Sequence, residues 1–349
     1  MTDIPSGITS GTTPGNAGQT LPWQHARWQE MLAWRASGRL PHALLLCGMR
    51  GVGKQHFAAT FAQALLCVQP ASDGQACQVC RSCLLLRAGT HPDYQQITPV
   101  EEGKSILIDQ IRELNASLAF KSHAGGYKIA ALWPADRMNT AAANALLKTL
   151  EEPSAHTLLM LITSRPAALP ATVRSRCQRI NFTLPPADLA LPWLRERLGA
   201  THDAAQLLAL AGGAPLKAIA LAHNGMPLHR TALLDDLDGL QRGLADPVAR
   251  AAAWVEWGAA DCVEWLFGYI VDMIRLKSAA HPPRLKNRDL DVQLQRICKR
   301  TELSVLYRHL ERTQDALRLL STQVNAQSLL EDALIGWAVD NAAASSQPA

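Results

Sequence analysis

The amino-acid sequence predicts an α/β protein whose N-terminal half is a parallel sheet with helices on both faces and whose C-terminal half is helical. Two observations support this prediction. Short apolar runs alternate with helical periodicities as far as residue 182, which is typical of strand–helix–strand units. After Pro185-Pro186 only helical periodicities remain, and no further strand is predicted.

The individual elements follow from the length and spacing of the apolar residues. A helix that ends before Pro153 is the clearest of them, because proline cannot continue a helix. Residues 70–83 are predicted to be a loop. The predicted strands cover 43–47, 128–133, 158–162 and 179–182, and the predicted helices cover 23–37, 54–66, 106–120 and 141–152.

The composition indicates a soluble globular protein. The chain has 349 residues, of which 48% are hydrophobic and 18% charged. Its formal net charge of +4 permits contact with nucleic acid without predicting it. No apolar run reaches the roughly 18 residues that span a bilayer. No secretory signal is visible either, so we expect a cytoplasmic protein that has no membrane partner.

A phosphate-binding loop is predicted between the first strand and the helix that follows it. Gly48, Gly51, Gly53 and Lys54 fit the template in which glycines let backbone N–H groups cradle phosphates and lysine reaches the β- and γ-phosphates. The next residue is Gln55, where a serine or threonine hydroxyl would hold magnesium. The alternative is a glycine-rich turn without a nucleotide. Binding of ATP or ADP is left open.

A cluster of cysteines predicts a structural zinc site. Cys77, Cys80 and Cys83 are closely spaced, and Cys67 lies at the end of the preceding predicted helix. Four thiolates close the tetrahedral coordination of Zn²⁺, which leaves no position for a substrate. His91 is an alternative fourth ligand, and independent free thiols are the other alternative. The remaining cysteines are predicted to pack in the core or between helices: Cys47, Cys177, Cys262 and Cys298.

Two acidic residues end the helix before Pro153. Glu151 and Glu152 there oppose the helix macrodipole, at a cost of about 0.3–1 kcal/mol each. The placement suggests that they meet a partner or Lys148, and a solvated charged end is the alternative. Arg176 follows the third predicted strand, and by itself it would be interpreted as a surface charge.

Several strings together carry a resemblance to a known family. Asn144–Pro153, Ser175–Cys177, Thr90–Asp93 and the cysteine cluster after a P-loop helix resemble the clamp-loader AAA+ family of bacterial DNA polymerase III. The resemblance covers about residues 22–225. It implies an AAA+ P-loop (RecA-like) domain over 21–184 with a zinc module at 67–83, a small helical lid over 185–226, and a C-terminal helical collar over 227–349 that joins five subunits in a ring. Residues 1–20 are rich in glycine, threonine, serine and proline, and this composition predicts a disordered tail.

The chain departs from the ATP-hydrolysing members of this family. In those members adjacent acids would stand where this sequence has Trp133 and Pro134, and Asp136 comes two to three residues late. The family's first sensor position falls at Thr163 or Ser164. The second, at Leu216, usually holds arginine in active members. We therefore expect a non-hydrolysing subunit with no ATPase or polymerase activity of its own, although it would be part of a DNA-directed DNA polymerase.

The resemblance gives Arg176 a role. The matching arginine of the family reaches the nucleotide of a neighbouring subunit and stabilises charge on the transferring phosphate. The implied partners are the gamma/tau and delta subunits, the sliding clamp and primed DNA held through its phosphates. Two alternatives stay open: an active gamma/tau-like P-loop ATPase, and a zinc-dependent nucleic-acid-binding module, for which the cysteine region carries few basic or aromatic residues.

Overall fold

A computed structural model describes residues 18–101, 103–122, 126–223, 226–279, 285–320 and 324–344. The chain divides into two compact units, the first ending at Ala220 and the second beginning at Leu221. The predicted tail over 1–20 lies almost entirely outside the described residues.

The first unit is built on a parallel sheet. Its strands are β1 (Ala43–Gly48), β2 (Tyr94–Ile97), β3 (Lys128–Leu132), β4 (Thr157–Thr163) and β5 (Gln178–Phe182). They lie in the order β2-β3-β4-β1-β5, and every neighbouring pair is parallel. The four predicted strands are confirmed. β2 was not predicted, because this half-buried edge strand contains two glutamines and lacks an apolar run.

Helices cover both faces of this sheet. Leu44 and Leu46 of β1 pack with Phe57 on one face, whereas Leu45 packs with Ile111 and Leu146 on the other. The alternation follows from the two-residue period of a strand. The helices of this unit are α1 (His25–Ala36), α2 (Lys54–Leu66), α3 (Arg81–Arg87), α4 (Ile108–Ala119), α5 (Thr140–Glu151), α6 (Ala171–Arg174), α7 (Ala187–Leu198), α8 (Ala204–Leu210) and α9 (Pro215–His223), the last of which continues past the boundary between the units.

The carboxyl edge of the sheet positions the candidate site. β1 ends at Gly48, β3 ends before Trp133, and β4 ends at Thr163. Because these strands are parallel neighbours, the loops that follow them meet at one edge, where open α/β sheets bind ligands.

The second unit is helical throughout its described residues. Trp254 and Trp337 are buried in its core, and their indole N–H groups donate to Asp236 and to the carbonyl of Leu237 at 3.0 Å each. Gly258 interrupts the longest helix with a non-helical backbone. The helices are α10 (Met226–Gln241), α11 (Pro247–Ser278), α12 (Asp291–Arg300), α13 (Leu303–Leu319) and α14 (Ala326–Ala344).

Among the described helices, none is both long and apolar enough to cross a bilayer alone. One pair bent by 107°, α8 with α9, passes the same test together, on length and composition only.

Candidate functional site

The predicted phosphate loop connects β1 to α2. Gly51 and Gly53 have φ angles of 80° and 92°, in the region that favours glycine. A Cβ atom on Gly51 would lie 2.7 Å from Cβ of Lys217, and one on Gly53 would lie 2.5 Å from Cδ1 of Leu21. The loop therefore needs glycine for its backbone and also for the space around it.

Lys54 begins α2 with its side chain buried against the loop. Its Nζ donates to the carbonyl oxygens of Gly48 at 2.6 Å and Met49 at 2.7 Å. Burial lowers the pKa of Lys54 to about 8. The ammonium group that would reach a phosphate is thus bonded to the loop itself.

Two other segments of the first unit bond to the loop carbonyls. The indole Nε1 of Trp23 donates to the oxygen of Val52 at 3.0 Å, and the buried Gln24 donates from Nε2 to the same oxygen at 3.2 Å. The backbone N–H of Leu216 donates to the oxygen of Gly51 at 3.0 Å. The loop is therefore held in its conformation by the chain's own groups.

The acid nearest this loop edge is already engaged. Asp136 accepts from Oγ1 of Thr163 at 2.6 Å and from Nε of Arg165 at 3.0 Å, and its side chain is 5% exposed. Trp133, at the end of β3, packs against the core. Both carboxylate oxygens of Asp136 thus accept hydrogen bonds within the first unit, and the position that follows β3 holds the apolar Trp133.

The four predicted cysteine ligands lie together. The Sγ atoms of Cys67, Cys77, Cys80 and Cys83 are all within 4.8 Å of one another. Sγ of Cys67 lies 3.5 Å from that of Cys77 and 3.9 Å from that of Cys80. Four sulfurs bound tetrahedrally to zinc would stand about 3.8 Å apart, given zinc–sulfur bonds of about 2.3 Å. The cluster could therefore hold a metal ion.

The surroundings of these thiols differ. Backbone N–H groups of Val79 and Cys80 donate to Cys77 and lower the pKa of its thiol. Burial raises the pKa of Cys67 and of Cys83. A bound cation would compensate the cost of ionising buried thiols, because the thiolate is the form that binds metal.

His91 lies outside the cluster. Its Nδ1 accepts from the backbone N–H of Asp93 at 3.1 Å, and its Nε2 lies 2.9 Å from Oγ of Ser82. That hydroxyl donates to the oxygen of Leu66 at 2.6 Å, so Nε2 of His91 must donate to Ser82. Both ring nitrogens are used within the protein, and Cys67 is the fourth member of the cluster.

Arg176 lies on the surface in the turn after α6. Its Nη2 is 2.6 Å from Oε1 of Glu151, at the end of α5, and its Nη1 donates to the oxygen of Thr172 at 2.9 Å. The ion pair joins the string that ends α5 to the string that follows α6. Glu151 thus meets an arginine of its own chain, whereas the sequence suggested a partner or Lys148.

With the geometry established, comparisons with known proteins define the family. Residues 23–186 match the family described as DNA polymerase III, delta subunit, and residues 228–338 match the family of its C-terminal region. A DNA polymerase III subunit delta-prime from Pseudomonas aeruginosa is 36% identical over 324 residues, which cover 91% of this chain and 97% of the relative. The chain belongs to the DNA polymerase III delta-prime family.

Other relatives include a second delta-prime subunit and a tau subunit of DNA polymerase III. The delta-prime subunit of Escherichia coli is 40% identical over 202 residues, covering 57% of this chain and 60% of the relative. A tau subunit of DNA polymerase III from Bacillus subtilis is 32% identical over 197 residues, covering 56% of this chain and 33% of the relative. The similarity to tau is thus confined to about a third of that protein.

Two features of the site were not predicted from the sequence. Trp23 and Gln24 were assigned to an amphipathic helix, and nothing in their spacing indicated hydrogen bonds to the loop. The pairing of Glu151 with Arg176 was also missed. A signal for it existed, since an acid at a helix C-terminus is unfavourable unless a cation lies close.

The pKa of Lys54 leads to a prediction about stability. Because its folded pKa of about 8 lies below the ordinary 10.5, the unfolded chain binds more protons between these values. The free energy of unfolding should therefore rise with pH in this window, by up to about 1.4 kcal/mol per pH unit from this group. Lys54→Met should show a flatter rise. Urea unfolding of both proteins at several pH values between 8 and 10.5 measures the free energy of unfolding. An equal rise with pH in the two proteins would contradict the lowered pKa of Lys54.

Proposed function

We propose that this chain is a non-hydrolysing subunit of a DNA polymerase III clamp loader and that it supplies Arg176 to the nucleotide site of a neighbouring subunit. Its membership of the delta-prime family supports the assembly. The proposal that this chain does not hydrolyse ATP but supplies an arginine rests on a difference in side-chain exposure within the first unit. The side chains of Lys54 and Asp136 are buried and bonded within the first unit, whereas that of Arg176 is paired with Glu151 at an exposed turn.

Three positions support the loss of hydrolysis. Gln55 offers an amide where a hydroxyl would hold magnesium. Asp136 is engaged by Thr163. Leu216 has no charge to offer a phosphate, and its N–H bonds to the loop. Gly48, Gly51, Gly53 and Lys54 thus keep the P-loop architecture as a scaffold that joins β1 to α2.

The chemistry of an arginine suits the role in trans. Its guanidinium stays charged at every physiological pH, and its planar set of N–H donors matches phosphate oxygens. Arg176 is 37% exposed in its side chain, so a neighbouring molecule can approach it. We propose that the neighbour is a gamma/tau subunit, whose family relative tau shares similarity with this chain.

The cysteine cluster is proposed to bind one structural zinc ion. Cys67, Cys77, Cys80 and Cys83 would supply four thiolates and leave no open position, which excludes substrate binding at the metal. Several hydrogen bonds join the segment that carries them to the rest of the first unit. In one of them, the carbonyl of Asp73 accepts from the indole of Trp28 at 3.1 Å. Zinc would stabilise a segment that is too small to form a core.

The remaining assignments follow from the proposed assembly. The helices over 185–226 would form the lid, and those over 227–349 the collar that joins subunits. The partners would be gamma/tau, delta, the sliding clamp and primed DNA, in the cytoplasm. DNA would be held mainly through its phosphates.

Reconstitution tests the proposed function. A loader assembled from gamma/tau, delta and this chain should place the clamp on primed DNA, and omission of the chain should abolish loading. The isolated chain should hydrolyse ATP no faster than buffer. Equal loading without the chain would contradict the proposal, and magnesium-dependent hydrolysis by the isolated chain would favour the active gamma/tau-like ATPase.

A further inference from the structure

The contact between Glu151 and Arg176 joins the end of α5 to the turn after α6. Glu151 is the last residue of α5, where the partial negative charge of the helix disfavours a carboxylate. The guanidinium of Arg176 lies 2.6 Å from this carboxylate. No other carboxylate pairs with Arg176 among the residues that the structure describes. The acid therefore has a specific counter-ion.

Both terminal nitrogens of Arg176 are engaged within its own chain. Nη2 binds Glu151, and Nη1 donates to the carbonyl of Thr172 at 2.9 Å and lies 3.4 Å from Oγ of Ser175. A phosphate that approaches these same N–H groups would compete with the carboxylate and the carbonyl for the donors of the guanidinium. The carboxylate is the one that an incoming anion can replace, because it binds through the same charge and the same planar donors.

Solvent reaches both members of the pair. The Arg176 side chain is 37% exposed and that of Glu151 is 49% exposed. Exposed ion pairs contribute little free energy, because water and salt screen them. A pair of this kind can hold a side chain in one direction and still exchange readily with a stronger anion.

We propose that Glu151 is a positioning residue that holds the Arg176 guanidinium on its own subunit until a phosphate of the neighbouring subunit's nucleotide replaces the carboxylate. The inference rests on the proposed role of Arg176 in trans. In this proposal the carboxylate of Glu151 and the phosphate of the neighbouring nucleotide compete for the guanidinium of Arg176. Glu151 therefore slows ATP turnover at the neighbouring site. No covalent step is involved.

The test uses the complete loader and measures ATP turnover in the absence of DNA. Glu151→Gln removes the competing charge and keeps the shape of the side chain. Turnover should rise about two- to fivefold, which corresponds to the free energy of an exposed ion pair. Glu151→Asp keeps the carboxylate and should stay closer to the wild type than Glu151→Gln does.

Glu152→Gln is the matched control. Glu152 is the next residue, is exposed, and has no ion pair with any residue in the described part of the chain. Its replacement should leave turnover unchanged. Equal turnover in the Glu151→Gln and Glu152→Gln loaders would overturn the proposal, and so would a Glu151→Asp loader that matches Glu151→Gln.

A double variant separates positioning from a general structural role. If Glu151 acts through Arg176, Glu151→Gln should change nothing in a loader that already carries Arg176→Ala. A rise in turnover that persists in that background would show that Glu151 acts by another route and would overturn the proposal. If Arg176→Ala alone leaves turnover unchanged, the role in trans fails and the proposal fails with it. If it slows turnover but Glu151→Gln has no effect, only the competition is wrong.

Discussion

Replacing Arg176 by alanine is expected to slow hydrolysis at the neighbouring nucleotide site by about a thousandfold or more, since an arginine supplied in trans to a transferring phosphate is worth that much. The fold should remain intact, because the side chain is 37% exposed and its ion pair is worth at most about 1 kcal/mol. A pre-steady-state burst of ATP hydrolysis by the assembled loader is the appropriate measurement. The burst should lose the amplitude of the one site that this chain serves.

Arg174 offers the matched control for that experiment. It lies in α6, two residues before Arg176, and it too is exposed. Arg174→Ala should leave the burst unchanged. Arg176→Lys should fall between the wild type and Arg176→Ala, because lysine keeps the charge and loses the planar pair of donors. An undiminished burst in the Arg176→Ala loader would remove the chemical role proposed for this chain.

Replacing Cys77 by serine is expected to release zinc and destabilise the first unit. The apparent free energy of binding structural zinc is about 10–16 kcal/mol near neutral pH, so losing one of four thiolates removes a large stabilising contribution. We expect one zinc per chain in freshly purified wild-type protein and a lower content in the variant. Metal analysis measures the first effect, and the thermal unfolding midpoint measures the second.

Cys177→Ser is the control for the metal site. Cys177 is a free, half-buried thiol outside the cluster. Its replacement should leave the zinc content unchanged. Treatment with a chelator should lower the unfolding midpoint of the wild type and of Cys177→Ser, with a smaller effect on Cys77→Ser. Wild-type protein that contains no zinc when fresh would contradict the assignment of the four cysteines.

Local patterns in the sequence were sufficient for most of the sheet and its helices. The run Ala43–Cys47, followed by glycines and a helical period, predicted β1 and α2 because strand burial and helix periodicity depend on near neighbours. β2 was not predicted, because its stability comes from pairing with β3 and its own residues give no sign of that pairing. The same limitation applied to α3, a short helix next to the cysteine cluster.

The candidate site divides in the same way. The cysteine cluster could be predicted, because three of its thiols lie within seven residues of sequence. The contact of Trp23 with Val52 spans 29 positions, and β4 and α6 lie between Glu151 and Arg176 in the sequence. Such contacts depend on how the elements pack, and no periodicity within either segment specifies them.

The crowding around the P-loop glycines has a consequence for motif searches. A methyl group at Gly53 would collide with Leu21, and one at Gly51 would collide with Lys217. Steric exclusion by the protein is thus enough to require glycine at both positions, even if no triphosphate ever enters. In this chain, close packing around the loop is therefore sufficient to explain a glycine pattern that usually indicates nucleotide hydrolysis.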